Sequence, residues 1–204
     1  MVRDGIPFVL VPLVAGFIFF FLNIWIVAAL LIILALFMVY FFRDPKRNVP
    51  VGDDLILSAA DGRVTRIENS EAGRLISVFL SPLDVHVNRS PISGRIESVT
   101  YSRGRKLPAT SEQASLVNER NSLTIVGAKM TVICTQIAGI LARRIACWNK
   151  AGDELAAGQR FGMIKFGSRT DLLIPQNTRV EVSVGQRVIG GETIIARLIT
   201  TNDS

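Results

Sequence analysis

The sequence predicts a mainly β fold, barrel- or sandwich-like, preceded by an N-terminal transmembrane helical hairpin. Three observations carry this. Residues 5 to 42 contain no Lys, Arg, Asp or Glu; from Leu55 onward short β-branched or alternating runs recur between turn signals; and only residues 109 to 121 lack strand character.

The apolar block comes first. A helix crosses the hydrocarbon region in about 20 residues, so residues 5 to 42 are nearly two spans long. They divide near Leu22 and Asn23 into helices of about 6–22 and 24–42, within an anchor of residues 1–45. Arg3 precedes the block and Arg43, Lys46 and Arg47 follow it, which places both ends on the cytoplasmic side. The expected location is therefore the cell membrane, with the domain of residues 46–204 in the cytoplasm. A single tilted span, with Pro7 and Pro12 at the interface, is the competing arrangement and sends the domain outside. A cleaved signal peptide would have an apolar region of about 7 to 15 residues ending in a small-residue site, and FMVYFFRDPKR offers none.

FFRDPKRNVPVGDD then stops the second helix and spaces the domain from the bilayer. The strand-like runs follow: LILSAA, RVTRIE, LISVFL, DVHVNRS, RIESVTYS, SLTIVG, MTVICTQIAG, RRIACWN, FGMIKFG, DLLIP, RVEVSV and ETIIARLI. Residues 109 to 121 read as a loop with helical potential. ADGRVTRIE echoes ISGRIESVT, and GQRFGMIKFG echoes GQRVIGGETI, which suggests duplicated hairpins and not a solenoid.

Composition narrows the function. The formal charge is +6, yet Lys and Arg are scattered with few aromatics among them, which argues for anionic lipid and against nucleic acid. Cys134 and Cys147 do not have the spacing of a zinc or redox pair and read as core residues. A single histidine, His86, excludes multi-histidine metal sites, and no metal is expected.

His86 lies in FLSPLDVHVNRSP, where strand alternation puts Asp84, His86 and Asn88 on one face, toward a cleft or solvent. A half-exposed surface histidine is the bland alternative. KFGSRTD raises its standing, because a Gly167–Ser168 bond lies there in a turn between two apolar runs. If Ser168 Oγ adds to the Gly167 carbonyl, the amide becomes an ester, and β-elimination followed by hydrolysis leaves a pyruvoyl group on residue 168. That serine needs a base oriented by a carboxylate, and His86 and Asp61 are the candidates. Asp61 taken alone is an Asp-Gly turn.

Taken in order, FFRDP, SAADGRV, FLSPLDVHVNRSP, NERN, QIAGILARRI and RFGMIKFGSRTDLLIP resemble the phosphatidylserine decarboxylase proenzyme family, in its short, compact branch. The resemblance implies cleavage at Gly167–Ser168 into a β chain of residues 1–167 and an α chain of residues 168–204, held together as a heterodimer. It implies that Ser168 becomes the covalent pyruvoyl cofactor, with Asp61 polarising His86 and His86 removing the hydroxyl proton. It further implies that phosphatidylserine, or a related aminophospholipid, forms a Schiff base with the pyruvoyl and loses carbon dioxide to give phosphatidylethanolamine, with His86 as the nearest acid for reprotonation. Longer members carry a second histidine three positions after the first, where this sequence has Arg89, a candidate for gripping the substrate or a solvated strand-end charge. Arg63, Arg66, Arg89, Lys106 and Arg169 are eligible for the phosphate. Asn118, Glu119 and Arg120 match the family's NER element and are expected to be structural.

Alternatives keep the same residues in view. An archaetidylserine decarboxylase would use the same chemistry. A serine hydrolase would use Ser168, His86 and Asp61 as a turnover triad, but the G-x-S-x-G elbow is absent. A lipoyl or biotinyl carrier needs a lysine at a hairpin tip, and Lys165 lies in a strand-like run instead. A non-catalytic lipid-binding module would not need Asp61, His86, Gly167 and Ser168 together.

Overall fold

The computed structural model describes residues 1–105, 107–108, 117–139, 144–165 and 168–199. Gly167, Lys106 and residues 109 to 116 lie outside them. The chain divides into two compact units, Met1–Lys46 and Arg47–Ser204.

The first unit holds two helices, α1 (Ile6–Phe21) and α2 (Trp25–Phe41). α1 stops at a residue able to reverse the chain: Asn23 adopts a left-handed φ of 61°, Asn23 N–H donates to Phe20 O and Ile24 N–H to Phe19 O. That paired closure satisfies the last carbonyls of α1 within the apolar block. The helices approach closely at Gly16, where an added Cβ would lie 3.2 Å from Ile32 and 3.4 Å from the Ala28 carbonyl. Their outward residues, Phe17, Phe21, Ile26, Leu30 and Leu36 among them, are exposed and apolar. Arg3–Phe21 is long and apolar enough to cross a membrane, with a mean hydropathy of 2.1, and Trp25–Phe41 is a shorter apolar helix.

The second unit is mainly β. In chain order its strands are β1 (Leu55–Leu57), β2 (Gly62–Ser70), β3 (Gly73–Leu80), β4 (Val87–Arg89) and β5 (Gly94–Ser102). Next come β6 (Arg120–Val126), β7 (Thr131–Ala138), β8 (Arg144–Cys147), β9 (Glu154–Leu155) and β10 (Arg160–Lys165). β11 (Ser168–Ile174), β12 (Thr178–Val180), β13 (Arg187–Val188) and β14 (Ile194–Leu198) complete it. Eight strands form one antiparallel sheet in the order β13-β2-β3-β11-β7-β6-β5-β9, which curls as a half-barrel. Two three-stranded sheets, β1-β14-β12 and β4-β10-β8, accompany it.

Alternation sorts the large sheet into two faces. Val64, Ile76, Val78, Leu80, Leu123, Ile125, Val132, Cys134, Leu172 and Ile174 point to the core, each buried aliphatic contributing roughly 1.5–3 kcal/mol. Cys134 is fully buried, burial pushes its thiol well above the ordinary range, and Cys147 packs at the edge of the same core. The first internal echo has a structural counterpart: β2 and β5 are both nine-residue strands with a register shift near their starts. The second does not extend as far, since β10 is a six-residue strand while β13 is a two-residue edge.

Two local expectations need correction. β4 begins at Val87, so Asp84 and His86 belong to the turn before it, and Asp84, Val85, His86, Val87 and Asn88 are all buried instead of alternating toward solvent. Ser168 is not in a turn: it is the first residue of β11.

Candidate active site

Ser168 sits where the chain changes sheets. β10 ends at Lys165 in one of the small sheets and β11 starts at Ser168 in the large one, with only residues 166 and 167 between. Ser168 is in register with Leu80 on one side and Ala138 on the other, and is fully buried. Among the described residues its Oγ has no hydrogen-bond partner. A buried hydroxyl left in this way costs about 1–3 kcal/mol, so the position is held against a local preference.

His86 is equally buried, and its Nδ1 lies 2.9 Å from the Asp84 carbonyl oxygen. A carbonyl only accepts, so Nδ1 carries the proton and Nε2 carries the lone pair of the neutral ring. Asp84 is itself fixed: its Oδ2 accepts from Ser81 N–H at 2.8 Å and Ser81 Oγ at 2.7 Å, and its Oδ1 accepts from Arg187. The tight turn from Ser81 to Asp84 thus sets the histidine's tautomer from two residues away.

Asp61 precedes Gly62, whose φ of 151° and closeness to the Phe79 carbonyl oxygen, 2.1 Å from an added Cβ, leave room for glycine alone. Its carboxylate accepts from the Arg47 guanidinium at 2.9 and 3.0 Å and from the Gly190 N–H at 2.9 Å. Burial raises the Asp61 pKa above its ordinary 3.8, against the Gly190 N–H and the Arg47 charge, while Asp84 adds to the rise.

Asn88 joins these three segments. Its amide nitrogen donates to Thr170 Oγ1 at 2.9 Å and, at a longer 3.4 Å, to the Ala59 carbonyl, and its Oδ1 accepts from Gln136 Nε2 at 2.9 Å. Gln136 Oε1 in turn accepts from Asn121 at 3.1 Å. Thr170 is two residues after Ser168, Ala59 two before Asp61, and Asn88 two after His86. Each candidate therefore lies two residues along the chain from a group in this amide's hydrogen-bond set. The network is buried throughout, so its hydrogen bonds form without competition from solvent.

Arg89 is 8 % exposed and donates to the Gly158 carbonyl at 3.0 Å, which corrects the reading as a solvated strand-end charge. Arg169 lies on the sheet face opposite Ser168, paired with Asp171 at 2.9 and 3.0 Å and buried with it. Asn118 ties Leu107 to the end of β7 through three hydrogen bonds, and Glu119 accepts from the Tyr101 hydroxyl at 2.9 Å. The sequence had no local signal for Arg47 beside Asp61, since the pair is 14 residues apart, nor for Gln136 and Thr170 as partners of Asn88.

The sequence model of phosphatidylserine decarboxylase matches residues 34–196. A phosphatidylserine decarboxylase proenzyme from Chlorobium phaeobacteroides (strain BS1) is 45% identical over 168 residues, covering 79% of this chain and 79% of that protein. With a match of this extent to the family and to one of its proenzymes, the chain belongs to the phosphatidylserine decarboxylase family.

Proposed function

We propose that this chain is a phosphatidylserine decarboxylase proenzyme that cleaves itself between Gly167 and Ser168 and acts on a membrane lipid with the product's Ser168-derived pyruvoyl group. The observation that carries the reading is the Asn88 amide, which ties the segments bearing Ser168, His86 and Asp61 to one point.

In self-cleavage, His86 Nε2 takes the Ser168 hydroxyl proton while the Asp84 carbonyl holds Nδ1–H. Asp61 supplies the negative charge that favours the imidazolium, with Arg47 and Gly190 fixing its oxygens. The residues fit the pyruvoyl group: the position is a buried strand start whose hydroxyl oxygen has no hydrogen-bond partner among the described residues, so its conversion to a ketone sacrifices none there. A pyruvoyl ketone at residue 168 would supply a carbonyl for the substrate amine and an electron sink for decarboxylation. His86, no longer facing a serine hydroxyl, would take up a proton at Nε2 and return it to the former α-carbon.

The apolar helical pair supports membrane association, and Arg3, Arg43 and Lys46 at its ends support a cytoplasmic domain. A diacyl substrate stays in that bilayer and only its headgroup has to reach Ser168.

Intact masses of the full-length chain and of Ser168→Ala under denaturing conditions test the reading. The expected result is a β chain ending at Gly167 and a pyruvoyl-blocked α chain, both absent from the variant, with carbon dioxide released from phosphatidylserine vesicles by the wild type alone. A single uncut mass from folded wild type would overturn it.

A further inference from the structure

The strand register lines up arginines across one end of the large sheet. Reading across paired strands, Arg187, Arg63, Phe79, Arg169, Ile137 and Arg120 occupy one row on the face away from the core. Ser168 lies in the adjacent row, on the core side, at the same end. Asp171, one row behind, takes the charge of Arg169, and Asp84 takes that of Arg187. Arg63 is different. It is exposed, directly cross-strand from Arg187, and among the described residues its guanidinium donates to the neutral Gly185 carbonyl alone.

More cations extend the same end. β5 runs from Ser102 into Arg103 and Arg105, and Arg144 pairs in register with Lys165, two residues before the 167–168 junction. Arg103, Arg105 and Arg144 are exposed, and Arg103 and Arg144 lie near the Tyr101 hydroxyl, which donates to Glu119, a half-buried carboxylate at this end. Among the described residues none of Arg63, Arg103, Arg105 and Arg144 is paired with a carboxylate. The exposed carboxylates of this sheet, Glu68, Glu71, Glu97 and Glu154, lie toward the other end, by the β2–β3 turn and the start of β5. Like charges set cross-strand destabilise a sheet, as Arg63 with Arg187 and Arg144 with Lys165 are, and an anion bound at this end would offset that repulsion.

We propose that this end of the domain docks on the anionic headgroup layer of a bilayer. The chain carries its own apolar helical pair, so a bilayer is the anionic surface always at hand, and each arginine near such a surface strengthens partitioning about fivefold. Resting on the decarboxylase reading, the polarity also separates substrate from product. Phosphatidylserine carries a net negative charge and phosphatidylethanolamine none, so the arginine end holds the first and releases the second.

The test compares hydrogen exchange of the full chain in nanodiscs of phosphatidylcholine with and without phosphatidylglycerol. Slower exchange around residues 63, 102–105 and 185–187 in the anionic discs, with the Glu71 and Glu154 turns unchanged, is the expected result. The quadruple variant R63Q/R103Q/R105Q/R144Q should lose that difference, and its KM for vesicle phosphatidylserine should rise severalfold while kcat holds. Cleavage of the variant at Ser168, read by intact mass, reports that it folds and that the decarboxylase reading stands independently. Equal exchange of the wild type in both discs, a variant that keeps the difference, or stronger protection by an RNA oligonucleotide than by phosphatidylglycerol would each overturn docking on lipid.

Discussion

One guanidinium nitrogen of Arg47 lies 2.9 and 3.0 Å from the two carboxylate oxygens of Asp61. Arg47 is the first residue of the β unit, directly after the apolar unit ends at Lys46, and its side chain is only 7% exposed. The exit segment therefore supplies a partner to the carboxylate proposed to assist His86. A mostly buried ion pair of this kind is costly to halve, because the remaining charge keeps its desolvation penalty.

Self-cleavage should reflect that pairing in its pH dependence. Burial raises the Asp61 pKa above 3.8 and Arg47 opposes the rise. The ionised carboxylate is the working form, so the acid limb of the cleavage rate is expected above pH 3.8, and Arg47→Gln should move it higher still. The sign for stability is opposite: a raised folded pKa favours the protonated fold, so Asp61's titration contributes most stability at low pH and loses it as pH rises through the folded value. Precursor cleavage timed by gel across a pH series, for wild type and Arg47→Gln, measures the first effect. Coincident acid limbs would refute the role given to Arg47.

The buried Ser168 hydroxyl should trade stability for reactivity. Removing it takes away a polar group with no partner among the described residues, so the uncut precursor should gain about 1 kcal/mol. His86→Ala holds the chain uncut for the comparison. Thermal melts of His86→Ala and of His86→Ala/Ser168→Ala should place the double variant a few degrees higher. A lower midpoint would mean that the hydroxyl is satisfied in the native precursor.

Most strands could be read from sequence because their chemistry is local. β2, β3, β5, β7 and β14 lie in β-branched or alternating runs between turn residues, and the helix reversal at Asn23 follows from one polar residue in an apolar block. β9 and β13 escaped because two-residue strands have no period to read and exist only through their partners, β5 and β2. At the site, Ser168, His86 and Asp61 stood out by motif. The burial of His86, Asn88 and Arg89 did not, because polar residues in a short segment are normally solvated; His86 is held locally by the Asp84 carbonyl, while Thr170 for Asn88 and Gly158 for Arg89 come from the fold. Arg187 pairs with Asp84 from 103 residues away, a separation at which no sequence period operates.

Thr170→Val should uncouple the site while leaving its three named side chains in place. Valine keeps the volume of β11 but removes the acceptor of the Asn88 amide, leaving a buried donor short of a partner at about 1–3 kcal/mol. Cleavage is expected to slow by about tenfold or more, since roughly 1.4 kcal/mol of lost positioning gives that factor, and Thr170→Ser should restore it. Asn88→Leu combined with Thr170→Val should cost less than the sum of the two, as expected of partners in one network. Full additivity would show that Asn88 and Thr170 act separately.

Cleavage should not release the α chain. Residues 168–204 supply β11 between β3 and β7 in the large sheet, β13 beside β2, and β14 between β1 and β12 in a small one. They also bring Gly190 and Arg187 to Asp61 and Asp84, which precede the proposed cleavage site. Leu172, Ile174, Val188, Ile195 and Ala196 belong to the shared core, so separation would expose apolar surface worth about 1.5–3 kcal/mol for each large side chain. The two chains are therefore expected to co-elute in size-exclusion chromatography in mild detergent and to separate only in denaturant, in the same transition that abolishes the β signal in circular dichroism. Release of the α chain before that transition would mean that the sheet tolerates loss of its central strand and that these pairings do not hold the cleaved enzyme together.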